Sequence, residues 1–190
     1  LVAFELPWDG LGSGDMPATF AAVSSPGATW AGAALFVDHG SGELVPLGPS
    51  GRTRSIIGRT LGTLSTGNPL FVDRTSSIIV ELLDERMTLA DATLRQLLQG
   101  ANRALVGSEM IQFGRAEPVA PGTWRITNLL RGRGGTESGV TEHHPDEPFV
   151  LLDNRPVALD PSLIGTGPDV EIVALGRGDS TPISSAIALA

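Results

Sequence analysis

Cysteine, lysine and tyrosine are absent from this 190-residue chain. Without cysteine there is no disulfide framework and no thiolate metal site, while the redox compartment stays open. All thirteen basic residues are arginine, set against 21 Asp and Glu, so the formal net charge is −8. Nucleic acid is held by clustered positive charge, and this balance argues against it as a partner. No apolar run approaches the roughly 20 residues that a membrane-spanning helix needs. Leu1-Val-Ala-Phe-Glu-Leu-Pro7 lacks a basic n-region and does not read as a signal peptide. A start without methionine and an unpunctuated Ile183–Ala190 end lead to the expectation of a piece of a longer polypeptide.

What is present points to a globular β protein. Hydrophobic residues make up 41% and charged residues 18%, which suits a packed core rather than disorder. The 24 glycines and 14 prolines break the apolar segments into short runs, the pattern of many strands with frequent turns. The expected fold is mainly β, an antiparallel sandwich or barrel-like arrangement with one packed α-helix at about 88–100. The expected organisation is an N-terminal β segment over 1–75, a core module over 76–155 and a C-terminal β segment over 156–190. No repeat or low-complexity tract interrupts it.

The clearest local signal lies between Glu109 and Glu137. Ile111 and Phe113 alternate with Met110 and Gln112, Trp124 and Ile126 alternate with Arg125 and Thr127, and Ala120-Pro121-Gly122 sits between them. Proline pre-sets φ at the second turn position and glycine accepts a positive φ at the third, so this is a hairpin. Arg131-Gly-Arg-Gly-Gly135 must then leave the sheet. Further strands are expected at 28–38, 77–83, 148–153 and 170–175. An edge strand is expected at 43–47, and a strand pair from 54–58 and 70–73. Residues 1–27 read as a connection. Thr88 reads as a helix N-cap with Asp91 three residues on, followed by a core-facing stripe of Leu94, Leu97 and Leu98 and by Gly100 as the stop.

Chemistry-bearing motifs are few. Gly10-Leu-Gly-Ser-Gly14 and residues 48–55 lack the strand, helix and lysine of a phosphate loop. Glu142-His143-His144-Pro145-Asp146-Glu147 is the one dense set of possible metal ligands. Adjacent histidines on an extended chain point to opposite faces, and no paired-histidine helix motif is present, so a solvated loop with one histidine tucked in is the stronger reading of His143, His144 and Asp146. His39 beside Asp38 has no nucleophile elbow to serve. Glu81, Asp84, Glu85 and Glu109 are explained by solvated faces better than by a glycosidase pair. Arg131 and Arg133 could cradle an anion; pinning the glycine-rich loop to carboxylates or carbonyls is favoured, because such a loop needs anchors against its ordering entropy. No cofactor is expected.

Residues 100–117 (GANRALVGSEMIQFGRAE), 122–137 (GTWRITNLLRGRGGTE) and 142–153 (EHHPDEPFVLLD) resemble, in order, the C-terminal region of large phage tail-tip proteins. These are the baseplate hub, or "megatron", proteins of siphophages and gene transfer agents. The matching positions are Gly100, Ala101, Asn102, Glu109, Gln112, Phe113, Leu129, Leu130, Arg131, Gly132, Gly135, Thr136 and Glu137. The resemblance implies a non-enzymatic structural module of a virion or phage-like particle, made in the bacterial cytoplasm. Other tail-tip subunits would be its partners, and it would be trimeric in the particle. No catalytic residue is carried over by it. A carbohydrate- or cell-wall-binding module is the alternative, with Trp8, Trp30 or Trp124 exposed to stack on a cell-surface glycan; a cell-wall hydrolase using His143 or His144 comes third.

Overall fold

The computed structural model describes residues 1–7, 17–26, 29–165, 167 and 169–189. The backbone forms two units, Leu1–Ser55 with Asn154–Leu189, and Ile56–Asp153. The sequence reading sets its boundaries at 75/76 and 155/156. The first one here falls earlier because the strand that follows Ile56 pairs within the second unit.

The first unit is a seven-stranded sheet. Its strands are β1 (Val2–Leu6), β2 (Ala18–Ala22), β3 (Ala33–Asp38) and β4 (Leu44–Pro49), joined by β11 (Val157–Ala158), β12 (Glu171–Gly176) and β13 (Ile183–Leu189) from the distal segment. The order is β11-β2-β1-β13-β12-β3-β4. β1 and β13 run parallel, and the other pairs are antiparallel. Leu35, Val37 and Ile172 line its core with Ala3 and Ala21. β4, which carries Pro46 and Pro49, lies at the sheet edge, where a missing N–H costs least.

The second unit is a closed six-stranded barrel. Its strands are β5 (Ile57–Thr60), β6 (Asp73–Leu82), β7 (Arg103–Val106), β8 (Glu109–Ala120), β9 (Thr123–Leu130) and β10 (Pro148–Leu151). They neighbour in the order β10-β5-β6-β9-β8-β7, and β10 closes the ring on β7 with Phe149 opposite Val106. Ile78, Val80 and Leu82 alternate into the interior, where they meet Ile111, Phe113 and Phe149. The β8–β9 hairpin turns at Pro121-Gly122, with Gly122 at φ +69°. The first five residues of β8 are buried on both faces. Ile111 and Phe113 face the core; on the other side Gln112 Nε2 donates to Leu97 O at 2.7 Å and Ala101 O at 2.8 Å.

Several elements differ from the sequence reading. Among the described residues of 1–27, expected as a connection, β1 and β2 form. The strand expected from 28 begins at Ala33. Residues 70–73 are not a partner for β5: Leu70 and Phe71 are exposed in a turn, and β5 pairs with the distal end of β6, Gly58 opposite Leu82. Residues 183–189 and 157–158 add strands to the sheet, and α2 (Pro161–Ile164) is a second short helix. The packed helix itself, α1 (Leu94–Leu98), is much shorter than 88–100. Thr93 caps it in a reciprocal box with Gln96, whereas Asp91 and Ala92 are bound to β8. Ala92 N donates to Gly114 O, and Ala116 N to Asp91 Oδ1. Of the three leucines, Leu97 is buried, while Leu94 and Leu98 face solvent.

Candidate functional site

Glu109 opens β8 on the strand face that carries Ile111 and Phe113, so its carboxylate points to the end of the barrel interior. Arg131, the first residue beyond β9, meets it there. Neither side chain is exposed. Arg131 Nε donates to Glu109 Oε1 at 2.9 Å and Oε2 at 3.1 Å, and Nη2 to Oε2 at 2.8 Å. Arg131 Nη1 donates to Ser65 O at 2.7 Å and lies 3.6 Å from Asp73 Oδ2. Gly132, left-handed at φ +54°, donates its N–H to Glu109 Oε1 at 2.6 Å. A side chain at Gly132 would be strained there and would crowd Glu137, so glycine fits for a local reason.

His143 completes the cluster. Its ring is 1% exposed, with Nε2 2.7 Å from Glu109 Oε2 and Nδ1 2.8 Å from Glu147 Oε2. Thr136 accepts the Met110 N–H at 2.8 Å and donates to Arg133 O at 2.9 Å, which ties the glycine-rich turn to the start of β8. Thr60 and Glu147 bind one another through backbone and hydroxyl, which fixes the approach to β10.

The electrostatics follow from these contacts. Burial pushes the Glu109 carboxyl up, but hydrogen bonds from His143, Arg131 and Gly132, with the Arg131 charge, hold it below the ordinary range. Burial disfavours the charged His143 ring, yet Glu109 and Glu147 together raise its pKa above the ordinary value. Asp73, opposed by burial but accepting from Ser76 and Thr75, is lowered to about 2. The buried carboxylate of Glu109 is engaged on both oxygens, and the arrangement holds loops together: Ser65, Gly132, Val140 and Glu147 belong to segments joined through one ion pair.

The other signature residues sit nearby in the same unit. Asn102, at φ +53°, donates to Ala90 O and Phe113 O, Gly100 ends α1 at φ +90°, and Phe113 is fully buried. Gly135 has φ +91°, and Glu137 is exposed. The candidate ligand set is dispersed: His143 is buried, His144 is exposed, and Asp146 pairs with Arg59 at 2.7 Å. Among the described residues no group of three acidic or histidine side chains is placed to hold a metal ion. Arg133, unlike Arg131, is exposed. Asp73 and the Ser65 carbonyl were not legible as members of the site. The sequence signals for it are Arg131 in its glycine-rich motif and one tucked histidine. Glu109, expected on a solvated face, is fully buried because Arg131, His143 and the Gly132 N–H satisfy its carboxylate, and Asp84 is buried as well.

Of the tryptophans, Trp30 and Trp124 are half-buried, and Trp8 lies outside the described residues, as does the 10–14 glycine segment. Trp124 lines a groove of about 410 Å³ beside the β8–β9 turn with Glu85, Pro118, Val119 and Pro121. No helix among the described residues is long and apolar enough to cross a membrane.

No curated protein matches the chain. A family model described as "Rcc01698-like, C-terminal" matches residues 55–150, which span nearly the whole barrel unit from before β5 into β10. That is just over half of the sequence, and the chain belongs to the Rcc01698-like, C-terminal family.

Proposed function

We propose that the chain is a non-enzymatic structural module of a phage-like tail tip or baseplate hub, of the kind found in gene transfer agents, and that it serves particle assembly beside other hub subunits. The observation that carries this reading is the Glu109–Arg131–His143 cluster. The motif that resembles the hub proteins is spent on closing one end of a barrel, with its charged groups buried against one another. Family membership over the same residues supports it. Trimeric assembly and location in a virion or phage-like particle belong to this proposal.

In-frame removal of residues 56–153 from the encoding gene tests it. Electron microscopy of the particles should then show tails without a complete tip, and delivery of packaged DNA should drop. Tail-complete particles that deliver DNA at the original frequency would overturn the reading. Contact with a cell-surface glycan is the second reading, supported by the half-exposed Trp124 in its groove beside Glu85, since sugar rings stack on aromatic faces and donate hydroxyls to carboxylates. Loss of adsorption in Trp124→Ala particles that assemble normally would favour it.

A further inference from the structure

An ionised carboxylate only accepts hydrogen bonds, and a neutral imidazole donates from one nitrogen alone. Both His143 nitrogens face carboxylate oxygens, Nε2 toward Glu109 and Nδ1 toward Glu147, at 2.7 and 2.8 Å. The two contacts are attractive together only when a second proton lies on the ring or on one of the acids. Glu109 is kept ionised by the Arg131 fork and the Gly132 N–H. The second proton therefore belongs to the His143–Glu147 contact.

We propose that His143 is a buried imidazolium acting as a proton-operated latch, and that its deprotonation frees the Glu147 side chain and loosens the segment leading into β10. Glu109 cannot move away, because its side chain is wholly buried and tied to Arg131. Glu147 can, because its side chain is 13% exposed and reaches water by a rotamer change. Its backbone stays fixed: Thr60 N donates to Glu147 O at 2.9 Å, and Glu147 N to Thr60 Oγ1 at 3.1 Å. The carboxylate rests against the β7–β8 turn at Gly107, where an added Cβ would lie 2.6 Å from Glu147 Oε1.

The charged groups around the ring come from every neighbouring element. Glu109 lies on β8, Arg131 at the end of β9, Glu147 ahead of β10, and Asp73 at the start of β6 beyond Arg131. Once the ring is neutral, Arg131, which pairs with Glu109 and Asp73, leaves Glu147 without a cationic partner in the cluster. The contribution of the latch to stability is complete below the unfolded histidine value of about 6.5, and it is lost as pH rises through the raised folded value. This inference does not rest on the tail-tip reading.

The test follows the His143 ring by NMR titration beside thermal melts of the whole chain between about pH 5 and 9. The variant Glu147→Gln carries no charge, and its amide offers both a donor and an acceptor, so it meets the ring in either state. In the unsubstituted protein the ring should titrate above about 6.5, with the melting temperature falling across the same range. Glu147→Gln should move the ring midpoint down and flatten that fall. A ring that titrates at or below the ordinary value overturns the proposal, and so does a Glu147→Gln melting curve parallel to the original. His143→Gln assigns the signal by its loss; should that variant not fold, the one histidine signal displaced by Glu147→Gln identifies it.

Discussion

Arg131 meets Glu109 side-on, its Nε 2.9 Å from Oε1 and its Nη2 2.8 Å from Oε2, at a point where neither side chain touches solvent. Two consequences pull in opposite directions. Replacing a buried pair wholesale by apolar groups is often neutral, but removing one partner strands the other charge. Arg131→Ala should cost about 3–5 kcal/mol of stability by urea denaturation. Arg131→Lys should recover only part of that, because an ammonium cannot present the planar fork. Glu109→Leu combined with Arg131→Met should be far milder than the sum of the single changes. Unchanged stability in Arg131→Ala would refute the pinning role and leave Arg131 for a partner contact.

A second expectation concerns Gly58, which lies opposite Leu82 where β5 pairs with β6. An added Cβ would overlap the Glu81 carbonyl oxygen and lie 2.9 Å from Leu82 Cα. Backbone atoms in a paired strand cannot step aside as a flexible side chain would. Gly58→Ala should lower stability by about 1–3 kcal/mol or more, the range of overpacked cores. Gly62→Ala is the control, because nothing lies within 4 Å of its added Cβ, and it should stay within about 0.5 kcal/mol. Equal melting temperatures for the two variants would contradict the β5–β6 register.

Acid should weaken the barrel unit by a route separate from the latch. Asp73, with a side chain 7% exposed, is lowered to about 2, and Glu109 lies below the ordinary range. Depressed carboxyls contribute stability that is present above their unfolded values, near 4, and that fades as pH falls through the folded ones. For Asp73 the shift corresponds to about 2 kcal/mol. Asp73→Asn should therefore be destabilised at neutral pH and show a shallower decline between about pH 4 and 2. A decline as steep as that of the unsubstituted protein would assign the acid sensitivity elsewhere.

How far the sequence discloses this molecule depends on how local each cause is. The β8–β9 hairpin was legible, since Pro121 and Gly122 carry the turn within the residues they join. The alternation of Ile78, Val80 and Leu82 likewise marked a strand. β1, β2 and β13 have near partners as well as remote ones, β1 with β2 and β13 with β12 alongside Ala3 opposite Ile187, but their short alanine-containing runs carry no clear two-residue alternation of apolar and polar residues. The Glu109 cluster is non-local. Arg131 stood out within its glycine-rich motif, but Ser65 and Asp73 reach it only through the barrel's closure. The histidine pair was read as one tucked and one free, and the partners of the buried ring come from β8 and from four residues downstream.

The helix separates two sequence signals that look alike. Thr88 with Asp91 and Thr93 with Gln96 both place a capping residue three positions before a polar side chain. Only the second pair forms a box, Gln96 N donating to Thr93 Oγ1 and Thr93 N to Gln96 Oε1. Asp91 is instead taken by the Ala116 N–H, which with the Ala92 N–H to Gly114 O holds residues 91–92 along β8 and delays the first helical turn. Thr93→Ala should cost about 1 kcal/mol, the usual value for a lost N-cap. Thr88→Ala, at an exposed position, should change stability by no more than about 0.5 kcal/mol. The same logic divides the leucines. Leu97→Ala empties a buried site and should cost about 2–5 kcal/mol, whereas Leu98→Ala, at 76% exposure, should cost little. Denaturation of the four variants side by side decides the matter. A large loss at Thr88 and Leu98 with little at Thr93 and Leu97 would mean that the helix starts at 88 and packs its other face.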